Sequence, residues 1–245
     1  MKIYVISDLH LCLGKNKPMD VFGGGWEGYM DKLQYNWRKK VGKKDYVLVP
    51  GDISWATYLN DAKLDFDYIE KLPGKKILLK GNHDYWWSTN AKLDKFVKEN
   101  SYKSIVFIKN NSYIAGKMVI CGTRGWMVQY GTCSEEKDLK IYNREIERLK
   151  LSLKSAKKTG LPTIVMLHYP PFKNGKINKD YSDLMKEYNV KICVYGHLHS
   201  KALKKAIEGK IDGILYKCVS ADYLKFIPYR LKTMHRGILD IIRNS

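Results

Sequence analysis

Five short groups of polar residues in this chain carry the side chain types that hold metal ions in proteins. The groups read Asp8-Leu9-His10, Gly51-Asp52, Gly81-Asn82-His83-Asp84, His168 and Gly196-His197-Leu198-His199. Asp8 and His10 are two residues apart, so on extended chain their side chains share one face and can reach a single ion. His197 and His199 repeat that spacing. Carboxylate, amide and imidazole groups without a thiolate suit Mn, Fe, Zn or Co better than copper(I) or an iron–sulfur cluster.

The placing of the histidines argues against a purely structural role for them. A single histidine is more often a hydrogen-bonded structural residue than a ligand. Here five of the six histidines belong to these groups, and only His235 lies outside them. Asp52 follows a glycine and has two carboxylate oxygens, so it can bridge two ions. Asn82 offers a carbonyl oxygen and His168 an imidazole. The sequence therefore predicts a metal site assembled from distant parts of the chain.

Alternating strands and helices must bring these groups together. Short apolar, β-branched runs predict strands at 2–6, 46–49, 76–79, 104–108, 118–122, 163–167 and 191–195, with further β structure at 214–219. Longer patterns predict helices at 29–41, 62–71, 89–100, 134–159 and 180–188. This alternation is typical of α/β proteins. Each polar group directly follows a predicted strand, and sites in open α/β sheets form beyond the carboxyl ends of the strands.

Length and composition restrict the class of protein. The 245 residues fit a single domain over 1–245, and an apolar fraction of 44% is enough for a packed interior. No run of about 18 apolar residues is present for a membrane span. The apolar start is too short for a signal peptide, so we expect a cytoplasmic protein. The five cysteines form no CxxC pair, which favours reduced thiols over a zinc ribbon or a disulfide framework.

The chain is strongly basic, with a formal charge of +19. A field of that sign attracts polyanions such as nucleic acid or phosphorylated substrates. The lysines are spread along the chain instead of forming one basic arm, so solvated lysine faces are the alternative to a nucleic-acid surface. A basic tail, with Tyr229-Arg230-Leu231-Lys232 and His235-Arg236, has a role that the sequence leaves open.

The five polar groups, in their order along the chain, resemble the signature of the calcineurin-like metallophosphoesterase superfamily. That signature consists of the motifs D-x-H, G-D, G-N-H-D/E, H and G-H-x-H. The resemblance implies a four-layer αββα sandwich, with two mixed β-sheets packed face to face and helices outside. It also implies two divalent metal ions, for which Mn, Fe and Zn are the candidates. One ion would be held by Asp8, His10, Asp52 and His199, and the other by Asp52, Asn82, His168 and His197.

The resemblance further implies hydrolysis of phosphate esters, with His83 as the general acid. Two divalent ions held against Asp8 and Asp52 leave a charge of about +2, which attracts phosphate and lowers the pKa of a bridging water. The resulting hydroxide would attack phosphorus in line, while His83 protonates the leaving group. Asp84 would either orient His83 or stabilise its turn, and Asn82 is also a candidate for contact with substrate.

Departures from known subfamilies narrow the substrate. The residues after Asp52 lack the Asp-Arg pair of protein phosphatases, and Trp55 stands where purple acid phosphatases have an iron-binding tyrosine. Other stretches resemble a bacterial branch of predicted phosphohydrolases, namely Gly51-Asp52-Ile53-Ser54-Trp55-Ala56, Gly81-Asn82-His83-Asp84-Tyr85-Trp86-Trp87, Gly122-Thr123-Arg124-Gly125-Trp126 and His168-Tyr169-Pro170-Pro171. The expected substrate is a phosphomonoester or phosphodiester of a small molecule or nucleotide. A nuclease and a non-catalytic scaffold of the same fold are the alternatives.

Three further features each have two interpretations. Arg124 follows a predicted strand, where it can contact substrate phosphate or form a surface ion pair. The glycine-rich segment 14–28, which includes Trp26, can be a flap over the site or a plain connection. Aromatic residues near the polar groups can line the site or pack inside the protein, and they are Trp55, Tyr85, Trp86, Trp87, Trp126 and Tyr169.

Overall fold

Two stacked β-sheets form the centre of the computed structural model, which describes residues 1–14, 17, 19, 25–173 and 175–232. The strands are β1 Ile3–Val5, β2 Tyr46–Pro50, β3 Lys75–Leu79, β4 Ile105–Ile108, β5 Ser112–Ala115, β6 Met118–Thr123, β7 Thr163–Leu167, β8 Phe172–Lys173, β9 Lys176–Ile177, β10 Ile192–Tyr195, β11 Gly209–Ile211, β12 Ile214–Cys218 and β13 Tyr229–Leu231. The α-helices are α1 Tyr29–Lys40, α2 Lys63–Lys71, α3 Asn90–Glu99, α4 Glu135–Lys157 and α5 Lys179–Glu187. Short 3-10 helices occur at Asn60–Ala62 and Ser200–Lys205.

Both large sheets have parallel strands inside and antiparallel strands at the edges. The first has the order β13-β1-β2-β3-β4, in which only β13 is antiparallel to its neighbour. The second has the order β11-β12-β10-β7-β6-β5, in which the outer strands β11 and β5 are antiparallel. Parallel strands share one direction, so their carboxyl ends collect at one edge of each sheet.

Three apolar clusters separate four layers. One lies between the sheets and includes Ile3 and Val5 of β1. Tyr4 points the opposite way, into a second cluster shared with α1, α2 and α3. A third cluster packs the second sheet against α4 and α5. The helices pack on the sheets through one apolar face. In α1 this face consists of Tyr29, Leu33 and Trp37, which are buried in the second cluster. The predicted αββα sandwich is confirmed.

The predicted elements differ from the observed ones mainly at the sheet edges. All predicted helices and strands are present, with ends shifted by one or two residues. Five strands of two to four residues were not predicted, namely β5, β8, β9, β11 and β13. Such short strands have too few residues to show an apolar alternation. Strand β13 lies within the basic tail and pairs antiparallel with β1.

Some predictions concern residues outside the described ranges. Residues 15–16, 18 and 20–24 of the predicted flap belong to this group, as do His235 and Arg236 of the basic tail. Among the helices that the structure describes, none has the length and apolar character needed to cross a bilayer.

Candidate metal centre

The seven predicted ligands lie together where the carboxyl ends of five strands meet. Asp8 and His10 follow β1, Asp52 follows β2, Asn82 follows β3, His168 follows β7, and His197 and His199 follow β10. The two sheets come together at this edge, since a bridge pairs Ser7 with Ser220. The structure therefore brings ligands from both sheets into one site.

Asp8, His10 and His199 form one group of facing donor atoms, the Asp8 cluster. The Nε2 atoms of His10 and His199 are 3.4 Å apart, and Nε2 of His199 is 3.4 Å from Oδ1 of Asp8. The Asp8 carboxylate also accepts hydrogen bonds from the Ser7 hydroxyl and, at 3.1 Å, from the backbone N–H of His197. The three side chains of the cluster are close enough to hold one metal ion.

Asn82, His168 and His197 form a second group, the Asn82 cluster. Oδ1 of Asn82 lies 2.6 Å from Nε2 of His168 and 2.9 Å from Nδ1 of His197. Asp52 lies between the two clusters. Its Oδ2 is 3.8 Å from Nε2 of His10 and 3.5 Å from Nε2 of His168. The arrangement is that of two adjacent donor sets with one carboxylate in common.

His168 presents a lone pair to Asn82 instead of a proton. Its Nδ1 lies 3.0 Å from the carbonyl oxygen of Pro50, which can only accept, so Nδ1 carries the ring proton. Burial lowers the pKa of His168 to about 3, so the ring is neutral at pH 7 and Nε2 is unprotonated. Two acceptor atoms thus face each other across 2.6 Å. A cation bound to both would stabilise this contact, so the residues fit a metal site.

His199 lies between two carboxylates, one of which the sequence analysis missed. Its Nδ1 is 3.0 Å from Oδ1 of Asp222, while its Nε2 faces Asp8. Burial alone would lower the pKa of His199, but the hydrogen bonds to Asp222 and Asp8 raise it to about 10. The space between the carboxylates therefore favours positive charge. Asp222 follows β12 outside any recognisable motif, so only the fold reveals its contact with His199.

The carboxylates of the site are buried. The exposed fraction is 0% for Asp8 and 1% for Asp52. Burial opposes charge on Asp8, but the hydrogen bond to His199 and the nearby histidines hold its pKa well below the usual range. Burial, together with the charges of Asp8 and Asp84, raises the pKa of Asp52 well above its usual value. Buried carboxylates this close repel each other, and cations between them relieve that repulsion.

Four candidate ligands have left-handed backbone conformations. Their φ angles are 57° for Asp8, 46° for His10, 52° for Asp52 and 72° for His197. This region costs non-glycine residues about 1–2 kcal/mol each. Such strain is concentrated at functional sites, where the surrounding structure enforces it. The strain therefore supports a functional role for these residues.

Glycines allow the loops of the two sheets to touch at the site. Gly51 has a φ of 92°, and a Cβ there would lie 2.6 Å from Nδ1 of His168. A Cβ on Gly196 would overlap the side chains of Ser7 and Asp8. Both positions therefore require glycine for the close approach of the two sheets.

His83 lies beside the clusters with an unpaired ring nitrogen. Its ring centroid is 5.7 Å from that of His10 and 4.4 Å from that of Trp55. Its Nδ1 is buried, and no hydrogen-bond partner for it is found within the described ranges. Burial and the nearby Lys17 lower the pKa of His83. The backbone N–H of His83 donates to Oδ1 of Asp52 at 2.8 Å, which links the two loops.

Asp84 is a buried hydrogen-bond acceptor for the surrounding loops. Its carboxylate accepts from the backbone N–H groups of Gly81, Asp52, Ile53 and Ser54 and from the indole of Trp86, at 2.7, 3.0, 2.9, 3.2 and 3.1 Å. None of the hydrogen bonds described for this carboxylate involves the His83 side chain. Of its two predicted roles, these contacts favour stabilising the turn.

Arg124 forms an ion pair with Glu145. An ion pair was one of the two predicted interpretations of Arg124, and contact with substrate phosphate was the other. Its guanidinium lies 3.5 Å from Oε1 of Glu145, whose side chain is 1% exposed, so the pair is inside the protein and not at its surface. Glu145 also pairs with Arg148 at 2.7 Å. The carbonyl oxygen of Arg124 accepts hydrogen bonds from the N–H groups of His168 and Tyr169, at 3.1 and 2.9 Å. Arg124 therefore adjoins the Asn82 cluster through its backbone.

Aromatic rings pack directly on the candidate ligands. The contacts are Trp55 on His10, Trp26 on His10, Trp26 on His199 and Tyr169 on His197, with centroid distances of 4.9, 5.8, 5.7 and 4.1 Å. Trp86 is 2% exposed and packs on Phe66 in the core. Tyr85 is 63% exposed beside His83. Trp55 and Tyr169 therefore line the site, whereas Trp86 packs inside the protein.

The model of the calcineurin-like phosphoesterase family matches residues 1–201, which include every ligand candidate described above. The chain belongs to this family. This phosphoesterase is therefore a hydrolase that acts on phosphoester bonds, from a family that usually binds divalent metals. No curated protein matches the chain.

Solved structures with low sequence identity share the fold of this phosphoesterase. The phosphopantetheinyl hydrolase of Mycobacterium tuberculosis is 15% identical with a TM-score of 0.59, and the match covers 98% of each chain. The protein TT1561 of Thermus thermophilus is 12% identical with a TM-score of 0.54, and the match covers 87% of this chain and 86% of that one. These similarities support the sandwich fold.

Proposed function

We propose that this phosphoesterase holds two divalent cations at the carboxyl edge of its sheets and uses His83 to protonate the leaving group. The Asp8 cluster would hold one cation and the Asn82 cluster the other, with Asp52 in common. Mn, Fe and Zn are the candidate metals, because the donors are carboxylate, amide and imidazole groups.

The observation that carries the proposal is the convergence of donor atoms on both sides of Asp52. Ligands about 2.0–2.2 Å from one ion stand about 3–3.5 Å apart. The separations in the two clusters and to Asp52 run from 2.6 to 3.8 Å, a range that brackets this spacing. The unprotonated Nε2 of His168 strengthens the case, because its hydrogen bond to Pro50 leaves it no proton to offer Asn82.

The residues of the chain divide the work of hydrolysis. Divalent cations held there would supply positive charge to phosphate oxygens and a bound water of lowered pKa. His83 would give a proton to the leaving oxygen, since its ring lies beside the Asp8 cluster, with its centroid 5.7 Å from that of His10. Burial and Lys17 lower its pKa, and a bound phosphate anion would raise it again. Asp84 holds the loop that carries His83.

The proposed substrate is a phosphodiester or phosphomonoester of a small molecule or nucleotide. Arg124 and Arg148 share the single carboxylate of Glu145, so this group of three keeps a net positive charge beside the Asn82 cluster. That charge would attract a substrate phosphate without requiring Arg124 to leave Glu145. Asn82 could also contact substrate through its amide nitrogen.

The proposal is tested with a panel of phosphate esters in Mn and in chelator. The panel contains bis-p-nitrophenyl phosphate, p-nitrophenyl phosphate, cyclic nucleotides, single-stranded DNA and, because of the structurally similar hydrolase, a phosphopantetheinyl ester. We expect hydrolysis of at least one small ester with Mn and none in chelator. The Asp52→Asn protein, purified in parallel, controls for contaminating phosphatases.

Two outcomes would favour the other candidate functions. Cleavage of DNA with a steep loss of activity as salt rises would indicate a nuclease, because phosphate contacts by Lys and Arg release counterions. Absence of hydrolysis with Mn, Fe or Zn on every substrate would contradict catalysis and favour a scaffold.

A further inference from the structure

A surface cavity of about 440 Å³ lies in the first sheet's half of the sandwich, away from the metal centre. Its lining residues are Arg38, Lys43, Lys71, Leu72, Pro73, Gly74, Lys75, Lys103 and Ser104. Five of these nine residues are cationic and none is acidic. We call this feature the basic cavity.

The basic cavity is at the opposite end of the strands from the candidate ligands. Lys75 is the first residue of β3, whereas Asn82 follows its last residue, Leu79. The five residues of β3 extend over about 17 Å at the usual rise per residue. A small ligand in the basic cavity would therefore not touch the metal centre.

Carboxylates adjoin the basic cavity, but they do not pair directly with its cationic side chains. None of the five forms an ion pair within the part of the chain that the structure describes. The nearby carboxylates of Asp45 and Glu70 accept hydrogen bonds from backbone N–H groups. Asp45 accepts from Lys2 at 2.7 Å and Gly42 at 3.0 Å, and Glu70 accepts from Lys103 at 2.9 Å.

Helix dipoles explain only part of this concentration of charge. Arg38 lies in the last turn of α1, and Lys71 ends α2, where cations stabilise the helix terminus. Lys43, Lys75 and Lys103 lie outside helices, so this explanation does not cover them. A concave surface lined by one sign of charge focuses the field and concentrates counterions.

We propose that the basic cavity binds a compact polyphosphate. Its volume is within the range of about 300–1,000 Å³ that is usual for small-ligand pockets. Its cations come from separate chain segments, namely the ends of α1 and α2, the loop after α1, the start of β3 and the segment before β4. Several adjacent phosphates can therefore be contacted by different parts of the chain. No lining residue is aromatic, so the cavity has no platform on which a base could stack and recognises phosphate instead. The source is either inorganic polyphosphate or the phosphate tail of a nucleotide.

Calorimetric titration of the chelator-treated full chain with tripolyphosphate tests this proposal. We expect tripolyphosphate to bind at least tenfold more tightly than orthophosphate. The double variant Lys43→Gln, Lys103→Gln should weaken tripolyphosphate binding about tenfold, since each contact with an exposed cation contributes modestly. Both side chains are exposed, so the fold should be unaffected.

Two further variants distinguish binding in the basic cavity from a general effect of net charge and from binding at the metal centre. Lys154→Gln with Lys158→Gln removes the same charge from exposed lysines at the end of α4, and tripolyphosphate should bind it almost as it binds the unmodified chain. Equal weakening by both double variants would overturn the proposal, because net charge alone would explain it. Loss of binding in Asp52→Asn would also overturn it, by placing the ligand at the metal centre.

A parallel titration with ATP distinguishes the two sources of phosphate. Tighter binding of ATP than of tripolyphosphate would identify a nucleotide as the ligand. Equal or weaker binding of ATP would identify inorganic polyphosphate. Failure of tripolyphosphate to bind more tightly than orthophosphate would refute the proposal and would leave the proposed hydrolysis untouched.

Discussion

The Asp8 cluster and the Asn82 cluster are oriented by partners of different kinds. In the Asp8 cluster, the ring of His199 is held by the side chain of Asp222. In the Asn82 cluster, the ring of His168 is held by the backbone carbonyl of Pro50. Outer partners of this sort fix the tautomer and direction of a metal-binding histidine. One substitution can remove the first partner, whereas no substitution removes the second.

The two clusters also differ in charge. The Asp8 cluster contains a carboxylate, whereas the Asn82 cluster contains only neutral donors apart from the shared Asp52. Opposite charge increases the affinity of a site for a cation. We therefore expect unequal metal affinities, with the tighter site at the Asp8 cluster. A metal bound there would displace the proton of His199, so its binding releases a proton.

Removing the shared carboxylate should have the largest effect, because both proposed sites use it. We expect Asp52→Asn to lower turnover by about 10³-fold or more, since metal charge stabilises the transition state by several kcal/mol. Metal content should fall at both clusters. Steady-state rates and elemental analysis measure the two effects. Retention of two bound ions and near-normal turnover would show that Asp52 does not connect the clusters.

Removing His83 should abolish proton donation while both clusters keep their metals. We expect His83→Ala to lower turnover by about 10²–10³-fold on esters with poor leaving groups. The loss should be smaller on p-nitrophenyl esters, whose leaving group needs no proton. Rates across a series of leaving groups, with metal content as the control, give the measurement. An equal loss on all esters would exclude His83 as the general acid.

Removing Asp222 should affect one cluster alone, and this is the smallest of the three effects. We expect Asp222→Asn to weaken metal binding about 10–100-fold at the Asp8 cluster only. Calorimetric titration with Mn should then show one affinity changed and the other preserved. Asp222→Glu is the matched control, because it retains the carboxylate and should recover part of the affinity. If both affinities fell together, the clusters would not be independent.

The sequence was informative where function requires particular residue types at fixed spacing. The pairs Asp8/His10 and His197/His199 stand out in the sequence because each has two candidate ligands directly after a predicted strand. The expectation that each pair lies on extended chain and shares one face was wrong, because the backbone of Asp8, His10 and His197 is left-handed and His197 and His199 belong to different clusters. The structure brings both pairs to the same edge, as predicted. The four layers followed from resemblance to a family, since alternating strands and helices alone indicate only an α/β protein.

Other features depend on contacts that no local pattern contains. Asp222 meets His199 only because β12 and β10 are neighbours in the second sheet. Edge strand β13 was hidden in a basic segment, because its three residues are too few to show alternation. The role of Asp84 became apparent only when its acceptor oxygens were seen to serve two separate loops. The left-handed backbone of Asp8 and His10 likewise follows from the assembled site.

The most direct test is a crystal structure of the protein grown with Mn and measured for anomalous scattering. The account predicts two anomalous peaks on either side of Asp52. One should lie among the side chains of the Asp8 cluster and the other among those of the Asn82 cluster. Absence of any ion between these side chains, at Mn concentrations that support hydrolysis, would contradict the two-cation site.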